Sequence, residues 1–313
     1  MIPTDIRVDA ARADGGQLEV RFAPDGHVSL FPASACESLV APSRRAPATW
    51  DASSLTLNWH AYGAIAEGGD ALVAFLTDCD DEGLALLRGV PTVEGSVTRV
   101  VELFGYVRET NYGRLFDVRT VIDPSNLANT SLALGAHTDN PYRDPVPTLQ
   151  LLHCLASSIE GGTSTFVDGY RVAEELARRD PNAFELLTTV PIRFRYADQS
   201  AELETWAPVI ELDPTGGVRA IRFNTRSAMP PAAPADVMGP WYAAYGAFAR
   251  LLRDPSLYVE VDLLPGDLVM FDNRRILHGR TGYDPAAGAR HLQGCYADVD
   301  ALRSKVAVLT RAP

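Results

Sequence analysis

The chain has 313 residues, 46% hydrophobic and 22% charged, the make-up of a soluble globular protein with a full core. A net charge of −12 repels phosphate backbones and excludes nucleic acid as an expected partner, and no basic cluster points to a membrane surface. No apolar run reaches the ~20 residues of a membrane span, and the first residues show no apolar leader segment, so the expectation is a soluble, cytoplasmic protein.

Gln17 to Phe22 alternates polar and apolar residues, as a half-buried strand does. Pro24-Asp25-Gly26 is a turn signal, and His27 to Phe31 returns as a second strand. Residues 41–54, rich in proline, arginine and small residues, read as a linker. We therefore expect a small N-terminal β region and linker over 1–54 and one large domain over 55–313. Leu55 to Trp59 is strand-like, Gly69 to Asp81 has helical spacing, Gly83 to Arg88 is a short apolar strand, and Val97 to Phe104 is a second helix.

Short strands dominate after about residue 105: Thr148 to Cys154, Ser164 to Val167, Ile192 to Tyr196, Val218 to Phe223 and Leu268 to Phe271. Helical stretches interrupt them at 170–179, 181–187 and 239–253. Many short strands separated by Gly, Pro and Asp turns predict a mainly β fold with flanking helices, a sandwich or jelly roll. The four cysteines, Cys36, Cys79, Cys154 and Cys295, form no Cys-x-x-Cys motif and read as reduced thiols.

The chemistry-bearing signal is His137-Thr-Asp139. Residues two apart on a strand share a face, so both side chains can reach one metal from a strand end. By itself the pair is weak, since six histidines and 40 acidic residues give roughly one chance match in a chain this long. The segment Pro265 to Asn273 reads as a turn and a strand that delivers His278 into the next turn. Two histidines and one carboxylate on one face of a metal leave the opposite face open. Arg290 follows His278 by 12 residues, a gap that suits a neighbouring antiparallel strand and a bidentate partner for a small dicarboxylate.

His137-Thr-Asp-Asn-Pro-Tyr142, Gln150-Leu-Leu-His-Cys154, Gly161-Gly162 with Val167-Asp-Gly169, Phe271 to Thr281, and Arg290 to Tyr296 occur in order. Together they resemble the iron(II)/2-oxoglutarate-dependent dioxygenases of the taurine dioxygenase superfamily. Within it they are most similar to the γ-butyrobetaine hydroxylases and the trimethylaminoethylphosphonate dioxygenases. The resemblance covers roughly residues 55–313. It implies a double-stranded β-helix (jelly roll), iron(II) held by His137, Asp139 and His278, 2-oxoglutarate as co-substrate and dioxygen as oxidant. It also implies Arg290 on the distal carboxylate of 2-oxoglutarate, with Asn126 and Ser164 beside that co-substrate. The protein supplies orientation and shielding while the cofactor carries the chemistry.

For the substrate, the resemblance implies an aromatic cage around a trimethylammonium group, a cation–π arrangement. Tyr112 and Tyr296 match two cage tyrosines, and Phe116 stands where the family has tryptophan. Asn129 and Asn140 stand where it has tyrosines, which leaves room for a different head group. Asn224 matches a position on the substrate carboxylate, and Arg143 and Arg226 are further candidates for an anion clamp. The expected reaction is hydroxylation of a small charged or zwitterionic metabolite, γ-butyrobetaine-like or trimethylaminoethylphosphonate-like. The alternative is a biosynthetic hydroxylase of a phosphonate or amino-acid derivative. A non-catalytic jelly-roll binding protein and a zinc hydrolase leave Arg290 without a role. Residues 1–40 hold one cysteine and one histidine, Cys36 and His27, too few for a closed structural zinc site. The N-terminal region is therefore expected to be shortened, without zinc, in a possible homodimer.

Overall fold

The computed structural model describes residues 5–32, 47–119, 130–158 and 161–311. It divides into two compact units, Met1–Ala46 and Pro47–Pro313. In the first, strands β1 (Arg7–Asp14), β2 (Gln17–Ala23) and β3 (Val28–Pro32) form an antiparallel sheet in that order. Strands β2 and β3 follow the predicted alternation and turn. The alternation is faint in β1, whose residues are all exposed, and the strand does not stand out in the sequence.

Residues 47–54, read as linker, belong to the second unit because polar contacts seat them there. The Trp50 amide donates to Asp168 Oδ2 at 3.1 Å, and its indole N–H donates to the Glu82 carbonyl at 2.7 Å. The Arg275 guanidinium donates to the Ala48 carbonyl and to Asp168, both at 2.8 Å. This buried ion pair thus gathers three separate stretches of chain.

The second unit is built on two sheets. The larger comprises β4 (Trp59–Ala61), β5 (Leu84–Arg88), β15 (Leu268–Asp272), β8 (Leu149–Ser157), β17 (Arg290–Ala297) and β6 (Phe116–Arg119), in that spatial order. The smaller comprises β14 (Tyr258–Val261), β9 (Ser164–Asp168), β16 (Ile276–Arg280) and β7 (Leu134–His137). Their inner faces meet in one apolar cluster that holds Leu152, Val269, Phe271 and Leu292 from the larger sheet and Phe166, Val261 and Ile276 from the smaller. Phe166 and Phe271 pack ring on ring across the gap, with centroids 5.7 Å apart.

The outer face of the larger sheet buries Leu149, Leu151, Leu268 and Met270 against helices α1 (Tyr62–Ala66), α2 (Gly69–Glu82), α3 (Ser96–Glu102) and α7 (Val299–Leu309). Both faces of β8 are therefore covered, which is why its sequence runs apolar instead of alternating. A third cluster joins α4 (Gly169–Arg179), α5 (Pro181–Thr189) and α6 (Ala235–Leu251) to the paired strands β12 (Ile210–Leu212) and β13 (Val218–Ile221). Strands β10 (Ile192–Ala197) and β11 (Glu202–Ala207) form a separate hairpin. Asp168 and Asp180 cap α4 and α5 by accepting from the amides of Tyr170 and Ala183. Among the described residues no helix is long and apolar enough to cross a membrane.

Two expectations need correction. His278 does not sit in a turn but in the middle of β16, where its direct cross-strand neighbour is His137. Arg290 does not lie on a strand beside His278. It opens β17 in the opposite sheet, paired with β8, so the chain between β16 and β17 crosses the sandwich.

Candidate active site

β7 ends at His137, and Asp139 follows just past the strand. Two backbone contacts set the exit direction. The Thr138 amide donates to the Phe223 carbonyl at 2.8 Å, and the Asp139 amide donates to Asn273 Oδ1 at 2.8 Å. Asn273 Nδ2 returns a bond to the Asp139 carbonyl at 2.9 Å. The buried Asn273 of the Phe271-Asp-Asn run thereby fixes the loop that carries the carboxylate.

His137, Asp139 and His278 converge, with one potential ligand atom from each lying within 4.8 Å of the others. The imidazoles are 4.4 Å apart between centroids. His137 Nε2 lies 3.4 Å from Asp139 Oδ1, and His278 Nε2 lies 4.0 Å from Oδ2. His137 Nδ1 faces the Gly135 carbonyl at 3.0 Å, which places the proton there and leaves Nε2 with a bare lone pair. Burial, then the neighbouring His137, pushes the His278 imidazole down to about 3, so it is a neutral donor near pH 7. Burial works to raise the Asp139 carboxyl, but the adjoining His137 and His278 imidazoles and the hydrogen bond from the Tyr296 hydroxyl outweigh it and hold it well below the usual carboxylate range. Two neutral-capable imidazoles and one ionised carboxylate on one side of a shared point suit a divalent transition metal with open positions.

The cluster lies in a cavity of about 570 Å³, within the range of small-molecule sites. Arg290 and Ser164 line it too. Arg290 Nη1 is buried and has no hydrogen-bond partner among the described residues. Burial, then the adjacent Arg280, lowers the pKa of this guanidinium. A buried donor left unmatched in this way fits the carboxylate of a keto acid. The Arg290 guanidinium stands 5.8 Å from the ring centre of Tyr283, and a Cβ on Gly162, whose φ is +68°, would come within 2.9 Å of its Nε. Gly162, the second of the two glycines, therefore leaves the volume that Arg290 occupies.

Of the expected substrate contacts, Tyr112, Phe116, Asn140, Asn224, Arg226 and Tyr296 all line the cavity. Arg143 does not: its guanidinium donates to Asn111 Oδ1 at 2.7 Å, while Arg222 holds its carbonyl at 2.8 Å. Asn126 and Asn129 lie outside the described residues, as does Cys36. Cys79, Cys154 and Cys295 are buried free thiols.

Asn140 adopts φ +52°, leaves its Nδ2 without a partner, and accepts at Oδ1 from the Tyr142 hydroxyl at 2.8 Å. Asn224 Nδ2 is bonded to the Thr138 carbonyl, and its Oδ1 accepts from the Arg226 amide, so this side chain first ties two loops together. Sequence reasoning missed Tyr142 and Tyr196, which also line the cavity. Their rings stack at 5.0 Å, and Tyr196 meets Tyr112 edge-on at 6.0 Å. Tyr142 belongs to the His137 run, but nothing in its spacing shows which way the ring turns.

The family described as "Taurine catabolism dioxygenase TauD, TfdA family" matches residues 46–296. The chain is 39% identical to a γ-butyrobetaine dioxygenase of Pseudomonas sp. (strain AK-1), over 99% of this chain and 83% of that protein. It is 35% identical to the human γ-butyrobetaine dioxygenase over 72% of this chain, and spans only 60% of that relative's length. Among solved structures, an asparagine oxygenase in complex with Fe(II), 2S,3S-3-hydroxyasparagine and succinate superposes with a TM-score of 0.58 at 21% identity, covering 76% of this chain and 80% of that one. A match over most of its length makes this chain a member of the TauD/TfdA family of iron(II)- and 2-oxoglutarate-dependent dioxygenases.

Proposed function

We propose that this enzyme hydroxylates an unactivated C–H bond of a small zwitterionic metabolite with a quaternary ammonium head, γ-butyrobetaine-like in size and charge. The observation that carries the reading is the His137, Asp139 and His278 cluster in one cavity with the unmatched Arg290 guanidinium and a wall of aromatic rings. His137, Asp139 and His278 hold iron(II). Arg290 pairs with the distal carboxylate of 2-oxoglutarate, and Ser164 lies beside it. When bound, iron with 2-oxoglutarate and dioxygen supplies the oxidant that abstracts hydrogen from the substrate carbon.

The chain's own residues orient and exclude. Tyr112, Phe116, Tyr142, Tyr196 and Tyr296 line the cavity, and each ring face met by a soft cation contributes about 0.5–2 kcal/mol. Arg226 lines the same cavity and offers positive charge to an acidic end. Two sheets that exchange successive strands (β7 to the smaller, β8 to the larger, β9 to the smaller, then β14 to β17 in the same alternation) support the jelly-roll reading. We take the partner to be a small anionic or zwitterionic substrate, not nucleic acid or a membrane, keep the homodimer as the candidate assembly, and assign the enzyme to the cytoplasm.

A second reading, hydroxylation of a phosphonate or amino-acid derivative, is favoured by Asn140, whose buried Nδ2 has no partner. Succinate release decides between them. With iron(II), 2-oxoglutarate and oxygen, γ-butyrobetaine is expected to stimulate turnover, and His137→Ala to abolish it. Background turnover with the betaine and with its trimethylammonium phosphonate analogue, beside stimulation by a phosphonate lacking that head or by an amino acid, would transfer the case to the second reading. No iron-dependent succinate with any of them would end both.

A further inference from the structure

Tyr296 matches a cage tyrosine, yet its hydroxyl is already engaged. It donates to Asp139 Oδ2 at 2.9 Å. Gln150 Nε2 donates to the same oxygen, also at 2.9 Å. Tyr296 and Gln150 are direct cross-strand partners in the β17–β8 pairing, so both side chains leave the same face of the larger sheet side by side. Asp139 comes from the other sheet, just beyond β7.

A carboxylate oxygen has two lone pairs, and two donors occupy both. Asp139 Oδ2 is thereby filled, while Oδ1 receives neither bond and stands 3.4 Å from His137 Nε2.

We infer that Gln150 and Tyr296 form a two-donor clamp that forces Asp139 to bind the metal through Oδ1 alone. They are positioning residues: they act through the carboxylate, leave a three-atom ligand set, and keep the remaining metal positions for co-substrate and oxygen. The inference rests on the metal-site reading above. It reassigns the Tyr296 hydroxyl from the substrate to the metal and leaves the ring, 5.0 Å from that of Phe116, as cavity wall. The clamp also bridges the sandwich, so the two sheets must keep their spacing for the ligand to stay aimed.

The test is cobalt(II) binding to apoprotein, followed by its visible absorption and by chelator competition. Tyr296→Phe and Gln150→Met are each expected to weaken cobalt by about 10–100-fold, the usual effect of removing a partner of a metal ligand. The double variant is expected to lose less than the product of the two, because both donors serve one oxygen. Melting of the metal-free protein is expected to move little, and melting of each variant shows whether it is folded, so either one decides the matter. Cobalt affinity within twofold of the parent, with a raised substrate KM in Tyr296→Phe, would overturn the clamp and return the hydroxyl to the substrate. Asp139→Asn separates the two levels: if it binds cobalt as the parent does, the metal site itself fails, whereas its loss of binding beside normal Tyr296→Phe binding sinks the clamp alone.

Discussion

Arg290 is placed by empty volume as much as by bonds. Gly162 yields the space beside Nε, and the Tyr283 ring flanks the guanidinium. Arg290→Met keeps the stem and removes the donors. It is expected to lower kcat/KM for 2-oxoglutarate about 10–100-fold, the worth of a charge-assisted hydrogen bond. Cobalt affinity should stay unchanged, since no metal ligand is touched. Gly162→Ala should raise KM for 2-oxoglutarate in the same direction, because its methyl group meets Nε and its φ disfavours a side chain. Initial rates against 2-oxoglutarate concentration check both. The same logic seats Phe116, whose ring covers Gly294 on β17 so closely that a Cβ there would collide with it. At this level the sequence is informative: it singles out His137, Asp139, His278 and Arg290, and all four line one cavity. What it leaves open is direction. Arg143 follows the same motif as Asp139 yet points to Asn111, because its backbone is already held by Arg222.

The loop bearing Asp139 is tied down by β12 and β13. Arg222 Nη1 donates to the carbonyls of Pro141 and Arg143 at 2.9 and 2.8 Å, and Arg222 Nε pairs with Glu211 across the two strands. Burial works to raise the Glu211 carboxyl, but Arg222 and then Arg219 outweigh it and lower it. A carboxylate lowered on folding stabilises the folded state fully above its ordinary value near 4.5, and that stabilisation is lost as the pH falls through the lower folded value. Glu211→Gln leaves Arg222 buried without its counter-charge and should destabilise the protein by roughly 3 kcal/mol at pH 7. The gap to the parent should narrow as the pH falls below the ordinary carboxylate value near 4.5 and close once it has passed the lower folded value, as read from urea midpoints at each pH. Most elements are legible from periodicity: Gly69 to Asp81 and Gly83 to Arg88 form α2 and β5 within a residue or so of their predicted ends. The sequence puts His278 in the turn that follows the turn and strand of Pro265 to Asn273. The turn is real, but β16 begins directly after it, at Ile276.

Each half of the sandwich supplies part of the site, so the stability of the whole unit bears on the chemistry. His153 on β8 is fully buried, and burial, opposed by the Val90 carbonyl, pushes its imidazole down to about 4. The unfolded chain then binds a proton near pH 6.5 that the folded chain refuses. Stability is unaffected above that value and falls as the pH drops from about 6.5 to about 4. Between pH 7 and pH 5 this one residue should remove about 2 kcal/mol, because each tenfold difference in proton affinity between the two states is worth about 1.4 kcal/mol. In His153→Leu that part of the acid loss should vanish, seen as a smaller change in urea midpoint over the same interval. An equal pH response in the two proteins would show that His153 is not the source.

Residue types and their order were enough to predict a mainly β chain and to nominate His137, Asp139, His278 and Arg290 as one site, because strand period and ligand chemistry are local properties. Which sheet each piece joins was decided only by packing. β16 and β17 follow one another in the chain yet belong to opposite sheets, and this separation brings Arg290, Gln150 and Tyr296 to face His278 and Asp139. Tyr142 and Tyr196 join the cavity wall for the same reason: their ring directions follow from the neighbours that cover them, and those neighbours are distant in the chain.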